Sequence, residues 1–212
     1  MRRTLLSTLI IATGLAASSQ ALAYGAGDFF TRAGVAKVDP KGDNGTLDTA
    51  LGDLDVDVQD ENGFAFTLGY RFTDKLGVEL LAAEPFSHDI TLDAGGGTEV
   101  GAATDHLPPT LTLQYYPFGG TQSRVQPYAG LGVNYTRFSD EEIDLAGADL
   151  ELDDSWGAAA QLGVDLLIDE HWALNAAAWY LDIDTDASLN GDDIGTVEID
   201  PLVVMGGVSF RF

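Results

Sequence analysis

Three observations predict an all-β chain, an eight-stranded antiparallel transmembrane β-barrel with short periplasmic turns and long acidic extracellular loops. Bulky apolar and small residues alternate with period two, the connections between strand-length segments are alternately short and long, and the acids gather in the long ones. The clearest alternation spans 63–72. Phe64, Phe66, Leu68, Tyr70 and Phe72 interleave with Gly63, Ala65, Thr67, Gly69 and Arg71. A soluble sheet would show a charged outer face here, whereas the second face of this segment is mostly Gly, Ala and Thr.

The chain opens with Met1-Arg2-Arg3, an apolar run from Leu5 to Leu15 and small residues ending Ala21-Leu22-Ala23. Those are the three parts of a secretory signal, so residues 1–23 are expected to be removed and 24–212 to form the barrel. No later apolar run approaches the length of a membrane-spanning helix. There is no cysteine, hence no disulfide framework. Loss of Arg2 and Arg3 takes the formal charge from −24 to −26. Such a charge excludes nucleic acid as a partner, because phosphate contacts need cations.

Eight strands are read at 28–38, 62–72, 76–86, 107–118, 125–138, 155–168, 172–184 and 198–212. Thr73-Asp74-Lys75, the Gly119-Gly120 turn and Asp169-Glu170-His171 are the short connections. Segments 39–61, 87–106, 139–154 and 185–197 are the long ones. Loop 39–61 carries eight acids, from Asp39 to Glu61, and loop 139–154 another eight, from Asp140 to Asp154. They read as a solvated surface.

In strands two to eight the even positions carry the bulk, except in the fifth, where the odd ones do. This parity places Phe64, Phe86, Tyr135, Trp156 and Tyr180 near the long-loop end. It places Tyr70, Phe72, Tyr115, Trp172, Phe210 and Phe212 near the short-turn end. Two aromatic girdles around a Leu, Val and Ala band are what a lipid-facing wall requires. The interior then divides by height. Arg71, Glu79, Gln114, Gln126, Asp165 and Arg211, joined by Arg32, form a charged plug toward the short turns. Ala65, Leu81, Ala83, Ala177, Trp179, Leu181, Val203 and Met205 line an apolar pocket open to the long loops. An apolar guest cannot cross the plug cheaply, so its exit is sideways into the bilayer. Pro108 and Pro109, which have no N–H for the ladder, are the candidate lateral opening.

Several stretches carry a family resemblance: Gly27-Asp-Phe-Phe-Thr-Arg-Ala-Gly34, Gly77-Val-Glu-Leu-Leu-Ala-Ala83, Pro85-Phe-Ser-His88, His106-Leu-Pro-Pro-Thr110, Pro127-Tyr-Ala-Gly-Leu-Gly-Val-Asn-Tyr135, Asp154-Ser-Trp-Gly-Ala158 and Trp179-Tyr-Leu-Asp-Ile-Asp-Thr185. In this order they resemble the outer membrane protein W family, which includes the AlkL-type hydrocarbon importers. The resemblance implies an apolar interior channel and uptake of small hydrophobic molecules across the outer membrane. Leu81 and Trp179 match the positions that narrow the channel floor in the family. The ending Val208-Ser-Phe210-Arg-Phe212 resembles the signal read by the barrel-assembly machinery. The other expected surroundings are the lipid bilayer and lipopolysaccharide. The alternative is a structural, adhesive or receptor barrel with a packed lumen, acting through its acidic loops.

Other constellations are weaker. Asp182-Ile-Asp184-Thr-Asp186, with Asp193 at position twelve, resembles an EF-hand start, but Ala187 stands where that loop needs Gly. His88 and His106 flank one loop and read as hydrogen-bonded rim residues rather than as a metal site. Ser87-His88 and Ser139 with Asp140 are too loose to suggest an enzyme. No cofactor or metal is expected.

Overall fold

The computed structural model describes residues 25–49, 52–83, 86–93, 95, 99–145 and 147–212. Residues 1–24, and with them the signal segment, lie outside the described residues, as does Pro85. In chain order the described strands are β1 (Phe29–Asp39), β2 (Thr46–Thr49), β3 (Gly52–Val58), β4 (Glu61–Arg71), β5 (Leu76–Ala83), β6 (Phe86–Asp93), β7 (Glu99–Leu107), β8 (Thr110–Tyr115), β9 (Val125–Ile143), β10 (Leu150–Leu152), β11 (Ser155–Leu167), β12 (Trp172–Leu181), β13 (Asp184–Leu189), β14 (Asp192–Glu198) and β15 (Leu202–Arg211).

Eight of these close the predicted barrel, in the order β1-β4-β5-β8-β9-β11-β12-β15 and back to β1. Every neighbouring pair is antiparallel. Closure matters because hydrocarbon cannot satisfy the free N–H and C=O groups of a sheet edge. The outer wall is apolar at membrane height, with Leu131 at 73% and Leu162 at 68% exposure. Aromatic side chains ring the short-turn end, where Phe29 meets Tyr70, Tyr70 meets Phe72, and Phe210 contacts both Trp172 and Phe212. At the other end Tyr135 packs on Trp156 at 4.7 Å. The Phe86 side chain lies outside the described residues.

Two expectations need correction. The parity of the fourth barrel strand is the reverse of that expected. In β8 the odd residues Leu111, Leu113 and Tyr115 face outward, while Thr110, Thr112 and Gln114 are buried. Pro108-Pro109 separates β8 from β7, so the apolar alternation that sets the parity is only six residues long. The long loops are also not simply solvated connections. Among the described residues they hold β2, β3, β6, β7, β10, β13 and β14, which build a headpiece above the barrel. One sheet runs β9-β7-β6-β3-β2 and the other β10-β13-β14. β14 packs against β2, and β10 against β9. The buried Asn44 ties the two sheets together, with Nδ2 donating to the Glu198 carbonyl at 2.8 Å and Oδ1 accepting from the Val58 N–H at 3.0 Å.

The headpiece follows from an alternation written in acids. Leu54, Val56 and Val58 are buried, and Asp53, Asp55 and Asp57 between them are exposed. Ile183, Thr185 and Ala187 are buried between exposed Asp182, Asp184 and Asp186. Carboxylates on one face of a strand and aliphatic side chains on the other give a sheet with a wet outside and a dry inside. Its core, which includes Leu47, Leu54, Leu92, Leu150 and Val197, is continuous with the apolar lining of the barrel.

Truncating Leu54 to Ala removes packing worth about 2–5 kcal/mol. Amide exchange in β2, β3 and β6 should accelerate at least about tenfold while β1, β4 and β15 stay unchanged. Equal acceleration in both regions would mean that headpiece and barrel unfold as one unit.

Candidate functional site

Near the short-turn end, strand alternation turns polar side chains inward from almost every barrel strand. Arg32 on β1 is their centre and is fully buried. Its guanidinium reaches Asp165 on β11 through Nε at 3.1 Å and Nη2 at 2.6 Å, and it also donates to Glu79 on β5. The rings of Phe30 and Tyr128 lie 4.4 and 4.3 Å from it. Glu79 further accepts from Thr67 at 2.9 Å, Gln114 at 2.9 Å and Gln161 at 2.7 Å. Asn175 donates to Asp165 at 2.8 Å and to the Tyr128 hydroxyl at 3.0 Å. Buried charge is tolerated here because paired opposite charges and neutral donors surround each carboxylate.

Arg71 is buried just beyond, with its guanidinium 3.5 Å from the Tyr116 ring centre and a hydrogen bond to the Asp74 carbonyl. Two arginines thus accompany two acids. Arg211 stands apart from this network. It lies at the barrel end, paired with Asp28 at 3.3 Å and bonded to the Glu170 carbonyl. Gln126 is buried at the same end and donates to the Ser123 carbonyl at 2.8 Å. Gln161, Thr67, Tyr116, Tyr128 and Asn175 are members that sequence reading missed. Parity carried a signal for four of them, since Thr67 shares a face with Arg71, Tyr128 with Gln126, Gln161 with Asp165, and Asn175 with Trp179.

Above the plug the lining is mostly apolar, with one polar strip in which Asn134 donates to Thr110 at 2.9 Å and Thr136 to Asn134 at 2.7 Å. Ala65, Leu81, Trp179, Leu181, Val203 and Met205 are all buried and face inward. Leu81 and Trp179 line one void with Ala36, Ala65, Ala83, Leu181, Val203 and Pro108. It measures about 10 Å³, so the lumen at this level is filled by side chains. The expected open pocket is therefore closed, because the headpiece core continues the packing upward. The Trp179 Nε1 atom is buried without a hydrogen-bond partner.

Pro108 and Pro109 interrupt the chain between β7 and β8. β9 runs past the interruption, pairing with β8 through Asn134 and with β7 from Arg137. Between those points the Pro109 carbonyl accepts from the Tyr135 N–H at 3.1 Å, but neither proline can donate in return. Pro108 is buried against the void, whereas Pro109 is partly exposed. From Ala102 through Thr104, His106, Pro108, Thr110 and Thr112 to Gln114, one inward face runs from the headpiece to the plug.

Inside the headpiece, His88 and His106 stack at 4.6 Å and are both buried. Burial pushes both below the usual imidazole range, and His106, also repelled by His88, is held down to about 3. Asp60, Glu61 and Asp89 pull His88 the other way without overcoming burial. Ser87 is exposed on the opposite face from His88 and bonds Asp105, so those two do not form a nucleophile–base pair. The EF-hand-like stretch is not a loop but a hairpin, with Asp184 and Asp186 on β13 and Asp193 on β14, where Asp186 accepts from Thr196 and Asp193 from the Gly195 N–H. Asp182 and Asp184 instead lie near Asp200, with carboxylate oxygens within 4.8 Å of one another, and Lys41 bonds Asp200 at 3.2 Å.

A family model described as the OmpW family matches residues 25–212. Outer membrane protein W of Escherichia coli is 44% identical, covering all of both chains. The crystal structure of the outer membrane protein OprG from Pseudomonas aeruginosa superposes with a TM-score of 0.80 at 40% identity, covering 91% of this chain and 99% of that one. The dibenzothiophene metabolism operon protein PahQ of Pseudomonas aeruginosa is 31% identical, covering 74% of each. Such relatives place a barrel of this construction in the outer membrane of the cell.

Two outcomes follow from the buried charges. Arg32→Met strands Glu79 and Asp165 without their cation and should cost about 3–5 kcal/mol in urea unfolding, followed by the gel mobility of unheated protein. Arg32→Lys should recover only part, because one ammonium cannot replace a two-pronged guanidinium. The histidines act on pH dependence. Their folded pKa values lie below the unfolded value of about 6.5, so the unfolded headpiece binds more protons below that pH. Stability is complete above pH ~6.5 and falls toward the His106 value of about 3, by up to about 1.4 kcal/mol per pH unit for that residue. Protection factors in β6 and β7, with the intrinsic pH dependence of amide exchange divided out, should therefore fall between pH 6.5 and 4, and His106→Phe should flatten the fall.

Proposed function

The chain belongs to the OmpW family, and we propose that it passes small hydrophobic molecules inward across the outer membrane and releases them sideways into the bilayer. The observation that carries this reading is the inward face. It is mostly apolar from the headpiece to Leu81 and Trp179, broken by His106, Thr110, Asn134 and Thr136 along one side, and below them it ends in a network of paired charges. An apolar guest gains about 25 cal/mol per Å² buried on the way in. To continue downward it would have to separate paired charges, each separation costing several kcal/mol. Support for a hydrophobic cargo comes also from PahQ, a relative named for a dibenzothiophene metabolism operon.

On this reading Leu81 and Trp179 are the constriction, and Ala65, Ala83, Leu181, Val203 and Met205 line the way to it. Arg32, Arg71, Glu79 and Asp165 block the axis. Pro108 and Pro109 form the exit, since Pro108 already lines the floor void where the ladder lacks donors. Residues 1–23 act as the export signal, Phe212 is read by the barrel-assembly machinery, and lipopolysaccharide surrounds the upper girdle. The second reading is a structural or adhesive barrel working through its acidic headpiece. The small size of the interior voids favours it, so passage must involve side-chain movement.

Uptake of radiolabelled octane by a deletion strain carrying this protein separates the two. Wild type should speed uptake, and Trp179→Asp, correctly folded by gel mobility, should return it to the empty-vector rate. Pro108→Ala with Pro109→Ala, which restores two donors to the ladder, should slow it several-fold. Equal uptake with wild type and empty vector would remove octane transport and leave the structural reading.

A further inference from the structure

The headpiece encloses a second void, of about 20 Å³, lined by His88, His106, Thr104, Thr185 and aliphatic side chains that include Val58 and Ile199. That is room for about one water molecule. Its threonine hydroxyls are engaged, since Thr185 donates to the Asp153 carbonyl at 2.6 Å and Thr104 to the Ser139 carbonyl at 3.3 Å. His88 is different. Its Nδ1 lies 2.6 Å from the Gln59 carbonyl oxygen, which can only accept, so the ring proton sits on Nδ1. The opposite nitrogen, Nε2, is then a bare acceptor, and it is buried without a partner on a side chain that is 1% exposed. Burial holds the ring neutral. A buried acceptor left unsatisfied is costly, and a group able to satisfy it is bound in preference to one that cannot.

We infer that His88 Nε2 is a selectivity point of the headpiece, taking small, mostly apolar molecules that carry one O–H or N–H donor, such as phenols and short alcohols. A ketone, an ester or a plain hydrocarbon of the same size has no proton to offer this atom. The void can grow toward the loop tips. A further void of about 60 Å³ lies there, lined by Leu54, Ile143, Leu145 and Ile194, and it shares Leu47, Leu92 and Leu150 with the first. Those three leucines are the partition, and their rotation joins the two spaces around a guest. Toward the barrel, His106 and Pro108 are successive inward residues on one face, so a released guest moves next to the floor. The inference rests on the reading of the interior as a path for small molecules.

Phenol and toluene differ by O–H against CH3 at nearly equal size and make the test. The full chain carries three histidines, so histidine-labelled protein in nanodiscs gives few imidazole nitrogen signals, assigned with His88→Phe. Phenol should move the His88 Nε2 resonance upfield and bind at least about fivefold tighter than toluene once bilayer partition is subtracted. His88→Phe, folded by gel mobility, should bring the two to parity. Equal binding of phenol and toluene to wild type, with Nε2 unmoved, would overturn the donor selectivity while octane uptake still stands. Loss of both phenol binding and octane uptake would overturn the interior path and this inference together. If the variant fails to fold, the wild-type comparison and the Nε2 shift still decide.

Discussion

A backbone crossing hydrocarbon must find all its hydrogen bonds within itself, and every other feature of this chain follows from meeting that demand with strands. Eight strands suffice to close, and closure leaves a lumen only as wide as its own side chains. A narrow lumen has to be filled with either apolar packing or polar groups that satisfy one another. This chain uses both, at different heights. The Arg32 guanidinium, held between two rings and two carboxylates, gives the lower half a packed polar core. Trp179 and its aliphatic neighbours fill the upper half.

The same period-two backbone meets two solvents. In the membrane, Leu131 and Val133 face lipid while Gly130, Asn134 and Thr136 face in. Above it, Asp55 and Asp57 face water while Val56 and Val58 face in. Only the outer face changes, from aliphatic to carboxylate, and the chain continues in the same pleat. That is why β9 runs unbroken through both regions, pairing with β8 below and β7 above. The extreme acidity is thus the outer half of a sheet pattern, and the inner half is the hydrophobic core that closes the top.

How much of this could be read from the sequence depends on range. Strand parity is local, so Ala65, Leu81, Trp179, Leu181, Val203 and Met205 could be turned inward from the chain alone. The eight barrel strands were equally legible, because each carries a bulky alternate face. The headpiece was not, since its acids dominate the composition of 39–61 and 139–154 and conceal the aliphatic residue at every second place. β8 was misjudged for a related reason, with six residues and a diproline giving too short a pattern to set parity. The plug was legible in its ingredients and not in its connections. Arg32 meets Asp165 across 133 residues and Glu79 across 47, distances that no local rule spans. Arg211 has the same charge and nearly the same parity, but it sits at the barrel mouth, where Asp28 and the Glu170 carbonyl are its partners.

The ladder break has a position that the packing explains. A diproline lower down would sit beside the Glu79 and Gln114 network, where a loosened wall would admit lipid to buried charge. Placed higher, within the headpiece, it would open toward water. At 108–109 it falls between Thr110, the first inward threonine of β8, and His106, the last inward residue of β7. There the flanking inward groups are uncharged, and the wall outside is at the upper aromatic girdle, beside Tyr135 and Trp156. A missing pair of donors is least costly where the opposite strand can turn its own groups toward the membrane interface, whose headgroups and water still form hydrogen bonds. The break therefore occupies a height where the sheet is weakened above the buried charges and below the acidic headpiece, beside the void that Pro108 shares with Trp179.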